Sequence, residues 1–96
     1  MTTMEAVRRR RTEILEIARR HGATNVRIFG SVVRGEERHD SDIDLLVDVA
    51  GVTSAWFPAG LILDLEDLLA RKIDIVTERG LNPFMRDQVL REAQPV

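Results

Sequence analysis

"IFGSVVRGEERHDSDIDLLVDV", residues Ile28 to Val49, is the stretch on which the fold of this chain turns. Its last third, "DIDLLVDV", is an apolar run that opens with two acids, Asp42 and Asp44. Carboxylates are poor strand formers and costly to bury, so a pair at the mouth of a strand needs a reason. Side chains alternate along a strand. The two acids would share one face about 6.6 Å apart at a rise of about 3.3 Å per residue, while Ile43 and Leu45 face the core. Just upstream, "NVRIF" (Asn25 to Phe29) reads as a short strand that runs directly into Gly30-Ser31. "SVVRGEER" then allows one or two helical turns, and His39-Asp40-Ser41 a polar turn.

The rest of the chain supplies partners for these strands. Met4, Val7, Ile14, Leu15 and Ala18 recur at helical spacing, which predicts a helix from Glu5 to His21 stopped by Gly22. The basic run Arg8 to Arg11 within it reads as a solvated face, with contact to an acidic partner as the alternative. Gly51 to Ser54 reads as a loop, and Trp56 and Phe57 as core or helix-entry packing, with a stacking platform for a base or a partner surface as the alternative. Leu61, Ile62, Leu65, Leu68 and Leu69 mark an amphipathic helix, with Pro58 tolerable near its first turn. "KIDIVT", Lys72 to Thr77, is a third strand, and Asn82-Pro83 caps a last helix that runs to Glu92.

The expected order is α-β-α-β-α-β-α in one domain over residues 1–96. The fold class is α/β (α+β), a small mixed three-stranded sheet flanked by helices. The long helix between the second and third strands permits a parallel crossover.

Composition bounds the function. The chain has 96 residues, 44% hydrophobic and 31% charged, a balance that allows one small core. Aromatics are 4%, so that core must be Leu, Ile, Val and Ala. A net charge of -2 argues against direct nucleic-acid binding, which favours a basic excess. No cysteine is present, which removes disulfides and thiolate metal sites. Nothing approaches the roughly 18 apolar residues of a membrane span, so no membrane role is expected and a cytoplasmic location is the default.

If the second and third strands are parallel neighbours in register, "DIDLL" and "KIDIV" bring Asp74 to the same point as Asp42 and Asp44. Three converging carboxylates repel one another unless a cation holds them or one stays protonated. Oxygen ligands without thiolates suit Mg²⁺ or Mn²⁺, and two such ions can clamp the attacking and leaving oxygens of a phosphoryl transfer. Gly30 would let a phosphate approach the backbone. Ser31 could cap the short helix, donate to that phosphate, or both. Arg34 could reach the same pocket or pair with Asp42 or Asp44. Ser41 could bind phosphate or simply close a turn, and His39 reads as an exposed loop residue.

"GSVVRGEERHDSDIDLLV" resembles the G-S-x-x-R-G…S-D-x-D-L signature of the DNA polymerase beta-type nucleotidyltransferase superfamily, and "RKIDIVT" resembles its third-carboxylate strand. The short chain is similar to the minimal nucleotidyltransferases that act as antitoxins of HEPN-domain toxins. The resemblance implies nucleotide contacts at Gly30, Ser31, Arg34 and Ser41. It implies catalysis and metal binding, by two Mg²⁺ or Mn²⁺ ions, at Asp42, Asp44 and Asp74. The implied reaction is transfer of AMP from ATP to a tyrosine of a HEPN-type toxin. Two rivals stand beside it: an antitoxin that neutralises by binding alone, and a nucleotidyltransferase that modifies a small molecule or an RNA end. Homo-oligomer formation is left open.

Overall fold

The computed structural model describes residues 1–49, 51, 53 and 56–96, so the loop expected over Gly51 to Ser54 lies partly outside the described residues. The chain begins with α1 (Thr3–Arg9) and α2 (Arg11–Arg20) where a single helix was expected. Arg10 closes the first and opens the second. The division has a physical cause. Val7 and Ile14 are buried, but everything between them is charged or polar, so nothing ties the intervening turn to the core. Consecutive arginines also repel along a continuous helix. α1 starts earlier than expected because Thr2 and Glu5 form a capping box. The Thr2 hydroxyl accepts from the Glu5 N–H, and the Glu5 carboxylate accepts from the Thr2 N–H.

β1 (Ala23–Phe29) leads through Gly30 into the one-turn α3 (Ser31–Arg34). β2 (Ile43–Val49) follows, then α4 (Ala59–Leu69), β3 (Ile73–Thr77), a 3₁₀ turn over Glu78–Gly80, α5 (Pro83–Glu92) and the short β4 (Gln94–Pro95). Asn82 caps α5 by accepting from the Phe84 N–H, with Pro83 in its first turn, as the sequence indicates. The sheet order is β3-β2-β1-β4, so β3 and β4 are the outer strands. β2 and β3 are parallel, while β1 pairs antiparallel with β2 and β4. The mixed sheet therefore has four strands rather than three. The added strand has only two residues, one of them a proline, and carries no alternating pattern to read.

Helices cover both faces. Ile43, Leu45, Val47, Ile73 and Ile75 join Val7, Ile14, Ala18, Leu61 and Leu65 in the main core under α1, α2 and α4. Phe29, Leu46 and Val89 form a smaller cluster under α5. Alternation along β2 and β3 thus sends Asp44 and Asp74 to the α5 side. Trp56 departs from its expected packing role: it is 78% exposed, whereas neighbouring Phe57 packs against the main core. The turn before α4 sends the first aromatic outward and the next inward.

Candidate active site

The site is built on strand ends. In the β2/β3 register, Ile43 lies opposite Ile73 and Asp44 opposite Asp74. This is the alignment that "DIDLL" beside "KIDIV" predicts. Asp42 stands one residue before β2, exposed, rather than within the strand. Burial, then the nearby Asp74 and Asp42 charges, push the Asp44 carboxyl up to about 6, and the Arg34 charge opposes them. A carboxylate cluster with too little positive charge to balance it is the physical content of this site.

Gly30 joins β1 to the acids. Its φ of +79° and ψ of −152° fall in a region open essentially to glycine alone. A Cβ there would also run into Oδ2 of Asp44. The glycine is therefore needed twice, for the backbone path and for the close approach of a carboxylate. Ser31 is the first residue of α3 rather than its cap, because Gly30 takes the cap position. Among the described residues, the Ser31 hydroxyl has no hydrogen-bond partner.

The structure decides between alternatives at two positions. Arg34 pairs with neither Asp42 nor Asp44. Its Nε lies 3.2 Å from Glu36, and its Nη1 lies 3.0 Å from both carboxylate oxygens of Glu92 at the end of α5. The helix directs this long side chain across to α5, and its charge still reaches Asp44. Ser41 acts as a turn residue. Its Oγ accepts from the Arg38 N–H at 2.8 Å, and its own N–H donates to the Arg38 carbonyl at 2.9 Å. His39 is exposed, as expected.

Arg71 was missed by the sequence reading. It donates to the Ser41 carbonyl at 2.8 Å, to Glu37 at 3.3 Å and to the Thr3 hydroxyl at 3.2 Å. It thereby fastens the loop that carries Asp42 to α1 and to the start of β3. Its position beside "KIDIV" was the only signal available.

Asp44 and Asp74 line a cleft of 290 Å³ whose apolar side is Phe29, Val76, Leu81, Met85 and Val89. A larger hollow of 570 Å³ near Asp48 and Arg79 contains none of the motif residues. The acid cleft is the chemically relevant one because it sets Asp44 and Asp74 against an apolar wall, with Gly30 packed against the Asp44 carboxylate outside the lining. Among the described residues, no three His, Asp or Glu side chains are gathered as a ready-made metal cage. The donor set nevertheless fits a hard divalent cation. All three aspartates offer only oxygen, and Asp44 is held against ionisation by its surroundings.

Comparison with known proteins agrees with the fold and the motif. Residues 11–96 match the nucleotidyltransferase domain family. Protein adenylyltransferase MntA of Thermococcus cleftensis is 39% identical over 77 residues, covering 80% of this chain and 78% of its own. A solved structure of a proposed minimal nucleotidyltransferase is 52% identical, with a TM-score of 0.84, over 100% of this chain and 97% of that one. The structure of a tri-AMPylated Shewanella oneidensis HEPN toxin in complex with MNT antitoxin includes a chain that shares the fold. Its TM-score is 0.66 at 20% identity, over 92% of this chain and 69% of that one. No helix among the described residues is long and apolar enough to cross a membrane. The chain belongs to the nucleotidyltransferase domain family.

Proposed function

We propose that this chain is a protein adenylyltransferase that transfers AMP from ATP to a tyrosine of a HEPN-type partner and acts as its antitoxin. The observation that carries the reading is the register of Asp44 against Asp74, with the Asp44 carboxylate lying against Gly30. It is the arrangement a nucleotide-transfer site requires: an acid pair beside a backbone turn that a phosphate can approach. The adenylyltransferase relative and the AMPylated HEPN toxin support the choice of donor and acceptor.

In this reading Asp42, Asp44 and Asp74 hold Mg²⁺ or Mn²⁺, which supplies charge neutralisation for the triphosphate. Gly30 and Ser31 bind its phosphates through backbone N–H groups and the free Ser31 hydroxyl. Arg34 contributes long-range positive charge. Ser41 shapes the loop by accepting from the Arg38 N–H, which leaves its own hydroxyl proton to donate to a phosphate. The acceptor hydroxyl oxygen forms a bond to the α-phosphorus, and the bond from that phosphorus to the oxygen bridging to the β-phosphate breaks. Pyrophosphate leaves, and Asp74, the exposed acid of the pair, takes the hydroxyl proton. Positioning and charge dominate such a transfer.

The test is incubation with α-labelled ATP and Mg²⁺, with and without a HEPN-type protein. Label should appear on the partner only, because this chain has no tyrosine. Label confined to RNA or to a small molecule would overturn the proposal.

A further inference from the structure

Phe84 is 97% exposed and Met85 53%, in the first turn of α5. Neither is needed to start that helix, since Asn82 and Pro83 already supply its cap and first turn. An aromatic left in water contributes nothing to the fold, and rigid aromatics ringed by polar groups are the usual anchors of protein interfaces. Exposed residues beside the pair in the chain, Asn82, Arg86 and Asp87, are polar or charged. The position of the pair narrows the choice of occupant. Met85 also lines the acid cleft together with Asp44 and Asp74, and Phe84 is its neighbour in the same helical turn, so the exposed pair begins at the place where the acceptor must react. A protein whose hydroxyl enters that cleft has to cover its rim, whereas a small acceptor would leave Phe84 in water. Leu63 is 65% exposed on α4, which packs on the main core across the sheet from α5, and serves as a control.

We infer that Phe84 and Met85 form the docking anchor for the protein acceptor, seating in an apolar socket beside its reactive tyrosine. The inference rests on the function proposed above and adds the surface that selects the substrate.

The experiment measures three quantities for wild type, Phe84→Ala, Phe84→Ala/Met85→Ala and Leu63→Ala: complex formation with the HEPN-type protein by calorimetry, the KM for that protein in AMP transfer, and the affinity for a fluorescent ATP analogue with Mg²⁺. The Phe84 variants should bind the partner at least tenfold more weakly and show a KM raised by at least the same factor. Phe84→Ala should keep wild-type nucleotide affinity, and Leu63→Ala should match wild type on all three. If Phe84→Ala/Met85→Ala binds and modifies the partner as wild type does, the anchor is refuted while the proposed activity stands. A wild type that forms the complex without transferring AMP refutes the activity, and the binding arm still decides the anchor. A wild type that does not bind the partner refutes both. Sedimentation of each variant identifies the other occupant. A wild-type dimer that Phe84→Ala converts to monomer would assign the patch to a second copy and overturn the proposal.

Discussion

Gly30 is the residue on which the site depends most directly. Gly30→Ala places a side chain in a glycine-only region and against the Asp44 carboxylate. It should cost about 1–3 kcal/mol of stability and abolish ATP binding, read from thermal melts and nucleotide titration. Asp44 makes a prediction whose sign depends on pH. Its folded carboxyl titrates at about 6, above its ordinary 3.8, so the folded state holds that proton more tightly than the unfolded state. The stability it contributes is complete below 3.8 and is lost as pH rises through about 6. Without metal, Asp44→Asn should therefore melt a few degrees above wild type at pH 7.5, and the gap should close by pH 4; solvent screening of a half-buried group keeps the gap modest. Equal melting temperatures at both pH values would refute the assigned burial and repulsion. The acids and Gly30 were legible because alternation and glycine geometry are local rules. The partner of Arg34 was not, because Glu92 is 58 residues away and no local pattern links them.

At the scale of elements, Arg71 joins a Thr3–Glu37 hydrogen bond in fastening the loop before β2 to its neighbours. Arg71→Ala removes hydrogen bonds to Thr3, Glu37 and the Ser41 carbonyl. Hydrogen bonds to charged groups contribute about 1.5–3 kcal/mol each when intact, although losses within one cluster are not additive. Urea unfolding should show a loss of that order, and ATP affinity should fall because the loop carries Asp42. Unchanged affinity would mean that Asp42 is placed without Arg71. Helix existence, the parallel crossover and the α5 cap could be read from spacing. The break at Arg10 could not be placed, since periodicity on both sides of it is helical. β4 was invisible because its two residues are fixed by pairing with β1 rather than by their own preference.

For the whole molecule, the question is whether it works by turnover or by occupancy. An Asp42→Asn/Asp44→Asn variant should still fold, because Ile43 and Leu45 supply the buried face of that segment. It should bind the partner yet fail to neutralise it at substoichiometric amounts, where wild type succeeds. Equal neutralisation by both would assign the antitoxin effect to binding alone. Mg²⁺ with ATP should also stabilise wild type, by about 2.7 kcal/mol at a hundredfold excess over Kd, and so raise its melting temperature but not that of the variant. The position of β3 at the margin of the sheet bears on such assays. An outer strand exposes unpaired backbone groups on which another chain can polymerise, and charged side chains are a common protection. Exposed Lys72 and Asp74 are the charges that guard this one. Removing Asp74 to silence the enzyme also takes away a guard against stacking, so Asp74→Asn preparations should cloud at concentrations where wild type stays clear. Their apparent inactivity then mixes lost chemistry with lost protein, and light scattering across a dilution series separates the two.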